Sequence, residues 1–179
     1  GNAGNDTLDG KAGNDTLVEE RGGGFELIDG PPLTLKFNGL ETDTLAGFEN
    51  VRLVGDDNPN TLNASSFSGT VYLDGRGGND TIIGGSGTNY LTGGPGNDNI
   101  DGSRGNDIIV EQRDADFTLT NTGLKIGSTE TDTYLGAIEF AELTGGNGAN
   151  TLNASAFAGR VKLDGPFHVL EGVQVLDLD

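Results

Sequence analysis

Asp80, Asn89, Asp98 and Asp107 stand nine residues apart, each two places before a large apolar residue: Ile82, Leu91, Ile100 and Ile109. They belong to four consecutive units over 75–110, GRGGNDTII, GGSGTNYLT, GGPGNDNID and GSRGNDIIV. Two more units in the same frame, GNAGNDTLD and GKAGNDTLV, fill residues 1–18 and place Asp6 and Asp15 at the sixth position. Carboxylates amid glycine, in a chain with no Cys and one His, offer oxygen donors without sulfur or nitrogen. Such a set suits a hard cation. Calcium accepts six to eight oxygens in a flexible cage, whereas magnesium demands a strict octahedron and keeps its waters, so calcium is the expected ion.

The elements that must position these residues are short strands and tight turns. The apolar pulses span two or three residues, and no segment shows a helical period with caps. Glycine between pulses allows the positive φ and close backbone approach that a half-circle turn requires, leaving carbonyl oxygens without ladder partners. Two nine-residue units make an 18-residue coil, so units n and n+2 stack. With stacked strands ~4.8 Å apart, about ten coils would give a rod roughly 45–50 Å long. The expected fold is all-β, a parallel β-roll or β-solenoid, internally duplicated and carrying short irregular hairpin-like inserts.

The duplication reads directly from the letters. DTLVEERGGGFEL at 15–27 matches DIIVEQRDADFTL at 107–119, and NTLNASSFSGTVYLDG at 60–75 matches NTLNASAFAGRVKLDG at 150–165. ETDTL at 41–45 answers ETDTY at 130–134, and FENVRL at 48–53 answers IEFAEL at 138–143. One continuous solenoid is expected: regular repeats at 1–18, an irregular module at 19–74, regular calcium repeats at 75–110, the second module copy at 111–165, and a cap or next copy at 166–179. FELI and LTLKF, around the turn DGPP, predict two strands in the first module.

Composition bounds the function. Glycine accounts for 32 of 179 residues, and 28 acids face 10 bases for a net charge of −18. Low hydrophobicity with high charge is the signature of a chain that needs help to fold, and multivalent cations would supply it. Phosphate binding needs clustered Lys and Arg, so no nucleic-acid partner is expected, and an anionic membrane surface is disfavoured likewise. No apolar run reaches the ~20 residues of a membrane span. The first residue already lies within a repeat, which suggests a fragment of a longer protein.

These tandem units resemble the RTX, or haemolysin-type calcium-binding, repeat family, whose fold is a parallel β-roll. The resemblance is clear over 1–18 and 75–110 and weak over 55–63 and 145–153. It implies that each ion sits between turns two units apart, held by backbone carbonyls and the sixth-place Asp of each turn. One site would then use the Arg76 and Gly78 carbonyls with Asp80, facing the Gly93 and Pro95 carbonyls with Asp98. The opposite edge would use the Gly85 and Gly87 carbonyls with Asn89, facing Gly102 and Arg104 with Asp107. Asn89 brings an oxygen but no charge, so weaker binding is expected there. Asp6 and Asp15 would have half-built sites, because Gly24 stands where the next turn needs an Asp. Asp132 and Asn150, 18 residues apart, would form a third site. Asn60 is a further candidate partner for Asp80.

Other features read as structural. Phe67 and Phe157, in NASSF and NASAF, would fill core space beside a corner of small residues. The pairs Asp56–Asp57 and Glu19–Glu20 would be solvated or supplementary calcium ligands, and His168 has no partner in view for catalysis. The function expected is a non-catalytic, calcium-dependent segment of a larger secreted, extracellular protein, partnered by other domains of the parent chain. The alternatives are an adhesin-like spacer and an accessory domain of a secreted polysaccharide-acting or hydrolytic enzyme with a protein or carbohydrate partner.

Overall fold

Residues that alternate apolar and polar over three to eight positions become strands, and the glycine-rich stretches between them become corners. The computed structural model describes residues 3–28, 30, 32–165 and 167–171. The strands in order are β1 (Thr7–Asp9), β2 (Thr16–Glu20), β3 (Phe25–Ile28), β4 (Leu33–Phe37), β5 (Glu41–Ala46), β6 (Asn50–Val54) and β7 (Thr61–Asn63). Then come β8 (Thr70–Asp74), β9 (Thr81–Ile83), β10 (Thr88–Thr92), β11 (Asn99–Asp101), β12 (Asn106–Arg113) and β13 (Phe117–Thr120). The last are β14 (Gly123–Ile126), β15 (Glu130–Tyr134), β16 (Phe140–Gly145), β17 (Asn150–Ala156), β18 (Arg160–Asp164) and β19 (Phe167–Glu171). No helix occurs among the described residues. The DGPP turn includes positions 29 and 31, outside the described residues, as does most of the 166–179 tail.

The chain alternates between two sheets. One holds seven strands in the order β18-β16-β12-β10-β8-β6-β2, and every pairing in it is parallel. The other holds twelve, β1-β5-β4-β3-β7-β9-β11-β15-β14-β13-β17-β19. In the regular block the 18-residue coil is seen in the register: Ile82 lies on Ile100, and Leu73, Leu91 and Ile109 lie in line. The fold is thus an all-β parallel β-roll.

The irregular stretches do not protrude. Each forms an antiparallel triplet inserted in the plane of the twelve-stranded sheet. The third strand of the triplet pairs parallel with the preceding coil, β5 on β1 and β15 on β11. The first strand pairs parallel with the following coil, β3 on β7 and β13 on β17. A triplet presents a free ladder edge on each side, so it fills three rungs where a plain coil fills one. The expected ten equal coils are therefore replaced by seven strands on one face, about 29 Å long, against twelve on the other, about 53 Å.

The core is the space between the sheets. Inward positions carry Leu62, Ile82 and Ile100 from one side and Leu53, Leu73, Leu91 and Ile109 from the other, all at most 2% exposed. Burying each such side chain contributes about 1.5–3 kcal/mol. Phe67 and Phe157 are buried in the same cluster, each closing a turn by donating its N–H to the Ala64 or Ala154 carbonyl. This agrees with the corner-filling role expected for them.

Candidate metal centre

The corners of the regular coils share one local design. Lys11, Arg76 and Ser103, at the second place of their units, take positive φ values of 68°, 65° and 67°. Each donates its N–H to the Asp that ends the previous unit: Asp9 at 2.9 Å, Asp74 at 3.0 Å and Asp101 at 2.8 Å. An Asx-type bond of this kind offsets the cost of the left-handed conformation. The next coil is pressed against the corner. A Cβ on Gly94, where φ is +91°, would collide with the Arg76 carbonyl oxygen, and one on Gly96 with that of Gly78. Glycine is needed there because backbone oxygens of the coil before point into its place. The Pro95 carbonyl accepts a hydrogen bond from the Gly78 N–H at 2.9 Å.

Along the edge that leads into the twelve-stranded sheet, the sixth-place residues form a stack. The Asn60 N–H donates to Asp80 Oδ1 at 2.7 Å, the Asp80 N–H to Asp98 Oδ1 at 2.7 Å, and the Asp98 N–H to Asp132 Oδ1 at 3.1 Å. Asn60 therefore does reach Asp80, across the two-residue insertion. Asp80, Asp98 and Asp132 are at most 2% exposed. Oδ2 of Asp80 and of Asp98 is buried without a hydrogen-bond partner. Outside this stack, Asn97 donates its N–H to Asn79 Oδ1 at 2.9 Å, and Thr131 to Asn97 Oδ1 at 2.8 Å. These bonds join the same coils without any need for an ion.

On the opposite edge, the six residues expected to face one another do converge, but around a nitrogen. Asn89 Nδ2 lies 3.3 Å from the Gly85 carbonyl oxygen, 3.4 Å from that of Gly87, 3.2 Å from Gly102 and 3.4 Å from Arg104. The same nitrogen donates to Asp107 Oδ1. Asn89 Oδ1 accepts the Gly85 N–H at 2.7 Å.

The inserts set the remaining partners. Asp132 and Asn150 do not meet: β14 and β13 lie between β15 and β17, so an 18-residue spacing across a triplet is not one coil. Asp132 stacks on Asp98, and Asn150 Nδ2 donates instead to Asp114 Oδ1 at 3.0 Å. The same rule completes what looked half-built. β1 skips the turn holding Gly24 and pairs with β5, so the Asp6 N–H donates to Asp43 Oδ1 at 2.9 Å. Asp43 is 1% exposed, and Oδ2 of Asp6 and of Asp43 is buried unpaired. Asp15 donates its N–H to Glu49 at 3.0 Å, and Asp107 to Glu139 at 3.0 Å. Asp43, Glu49 and Glu139 were not singled out in the sequence. The match of ETDTL to ETDTY aligns Asp43 with Asp132, and that of FENVRL to IEFAEL aligns Glu49 with Glu139.

Burial raises the carboxyl pKa values. Desolvation is the largest cause at Asp80, pushed up to about 7, at Asp132, about 8, and at Asp107, about 6, and it raises Asp98 as well. Neighbouring carboxylates add to it at Asp80 and Asp132. Asp56 moves the other way, held low by the Asn60 and Asn58 side chains. Glu19 and Glu111 are buried, not solvated. Arg21 lies 3.7 Å from Glu19 and 2.8 Å from Glu41. In the second copy Arg113 lies 3.3 Å from Glu111 and 3.6 Å from Glu130. Each Arg thereby ties the seven-stranded sheet to the third strand of a triplet.

The donor set fits a calcium ion on three observations: buried carboxylate oxygens without a partner, backbone carbonyls aimed at positions where a Cβ would collide, and carboxyls whose pKa values burial raises. Among the described residues no three acidic or histidine side chains gather into a metal-binding group, so a cage here must draw on backbone oxygen. No curated protein and no solved structure matches the chain. Residues 1–18 and 74–109, less than half of the chain, match the RTX calcium-binding nonapeptide repeat in four copies. The glycine corners within 1–18 and 74–109, with Asp80, Asp98 and Asp107, are thus the part of this β-roll that is similar to the RTX calcium-binding nonapeptide repeat.

Proposed function

We propose that this chain is a non-catalytic β-roll segment of a larger secreted protein, and that it folds and stiffens when calcium binds. The observation that carries this reading is the pair of buried, unpaired Oδ2 atoms of Asp80 and Asp98 in adjacent coils. Leaving an ionised carboxylate oxygen buried and unpaired is costly. A divalent ion between coils removes that cost and cancels two charges in a chain of net charge −18. The Asp80 and Asp98 carboxylates would hold it, with backbone oxygens of Arg76, Gly78, Gly93 and Pro95 around them. Asp6 with Asp43, and Asp98 with Asp132, would hold ions at the seams with the two triplets.

A ligand bound only by the folded state stabilises that state by mass action. Extracellular calcium modules bind at ~10⁻⁴–10⁻³ M, so folding would wait until the chain leaves a calcium-poor cytoplasm. Circular dichroism during a calcium titration tests this, with chelator and magnesium as controls. A β signal that appears with calcium and collapses in chelator is expected; a signal indifferent to both overturns the folding switch.

A second reading, an extended spacer in an adhesin-like protein, is favoured by the two module copies, whose triplets enter the sheet in the same way. In that case the rod itself is the function and calcium makes it rigid.

A further inference from the structure

The carbonyl cage on the second edge is filled by the chain itself. We infer that the Asn89 side-chain amide is a built-in substitute for the cation, so that this cage takes no calcium in the natural sequence. The inference rests on the calcium reading of the repeats and concerns which of their cages remain open to the ion.

Five oxygens from two coils surround Asn89 Nδ2: four backbone carbonyls and the Asp107 carboxylate. The orientation is fixed by Oδ1, which accepts the Gly85 N–H. Turning the amide over would set its oxygen against four carbonyl oxygens and its NH₂ against an N–H donor, losing every bond. The nitrogen carries two N–H groups for five acceptors, so it serves the cage less fully than an ion would. In exchange it is always present. It also partners the Asp107 carboxylate, whereas Asp80 and Asp98 each keep an orphaned oxygen.

Two other asparagines share part of this arrangement. Asn60 Oδ1 accepts the N–H of Asp56, and Asn150 Oδ1 that of Gly146, each four residues back as Gly85 is from Asn89. Their Nδ2 atoms donate to a carboxylate at 3.0 Å, that of Asp56 in the first copy and that of Asp114 in the second. That carboxylate comes from opposite coils in the two copies. A Cβ on Gly22 would strike the Asp56 side chain, and one on Gly146 the Asp114 side chain, while the 15–27 to 107–119 match aligns Gly22 with Asp114. Each copy thus keeps one carboxylate for its asparagine and a glycine opposite to make room.

Asn89→Asp tests the inference by opening the cage. Calcium bound per chain, measured by equilibrium dialysis, is expected to rise by one ion over the natural sequence. An unchanged count, with the natural chain binding calcium elsewhere, overturns the inference and leaves the proposed function standing. Asn89→Ala gives a second arm: a count that falls by one would make Asn89 a ligand and overturn the inference, whereas a count that does not fall supports it. A third arm uses the natural chain alone, following the Asn89 side-chain amide by NMR. Slow exchange of this NH₂ at saturating calcium is expected, and a fast-exchanging NH₂ turned to solvent overturns the assignment. A natural chain that binds no calcium would refute the proposed function, and the NMR arm would still decide this one.

Discussion

The backbone N–H of Asp80 donates to the carboxylate of Asp98 in the next coil at 2.7 Å, and the other oxygen of that carboxylate is buried with no partner. One side chain therefore satisfies a neighbouring coil with one oxygen and keeps the other buried and unpaired. Asp98 is also the centre of the stack, because its own N–H reaches Asp132.

Asp98→Ala should be the most damaging single change in the regular block. It leaves the buried Asp80 N–H unpaired, costing about 1–3 kcal/mol, and removes the carboxylate proposed to hold calcium with Asp80 and with Asp132. Calcium stoichiometry should fall and the folding midpoint should move to higher calcium. If neither changes, the pairing of coils proposed here is wrong.

Acid should partly replace calcium. Burial pushes Asp132, Asp80 and Asp107 up to about 8, 7 and 6 in the fold, against an ordinary value of 3.8. Between those limits the ion-free fold binds more protons than the unfolded chain, so its stability rises as pH falls from about 8 towards 4. Above about 8 the full burial cost of the charges is felt. Calcium affinity runs in the opposite sense, because protons compete for the same oxygens. Circular dichroism in chelator at pH 8.5 and pH 5.5 checks the sign, with more β signal expected at the lower pH.

Gly94→Ala should destabilise the coil even at saturating calcium. The substitution carries the left-handed backbone cost of roughly 1–2 kcal/mol and adds a collision with the Arg76 carbonyl oxygen. Gly39 provides the control, since its φ is +66° and nothing lies within 4 Å of an added Cβ. Thermal unfolding should show a clearly larger loss for Gly94→Ala than for Gly39→Ala. Equal losses would mean that the carbonyl does not crowd that position.

What the sequence discloses and what it conceals follow from how local each rule is. The nine-residue period fixes the inward row Ile82, Ile100 and the stack Asp80, Asp98, because each coil there has the same length. The two strands around DGPP are equally legible. Their destination is not, since whether a hairpin leaves a sheet or joins it depends on which edges are free in three dimensions. That choice breaks the Asp132–Asn150 spacing and gives Asp6 its partner in Asp43. Asn89 shows a different limit. Its side chain carries a donor and an acceptor on one carbon, and the Gly85 N–H together with the cage oxygens decides which end faces the cage. Glu19 and Glu111 look like surface acids until Arg21 and Arg113 are placed beside them.

The triplets leave the roll with twelve strands on one face and seven on the other. At ~4.8 Å per strand, the two extra strands of each triplet lengthen the twelve-stranded face by about 19 Å in all. Two packed layers of such unequal length cannot stay parallel, so each triplet acts as a wedge that turns the axis toward the seven-stranded side. Plain coils add length; wedged modules add angle. A longer array of this 90-residue module would sweep an arc with its seven-stranded face on the inside, and its curvature would be set by how many plain coils separate the wedges.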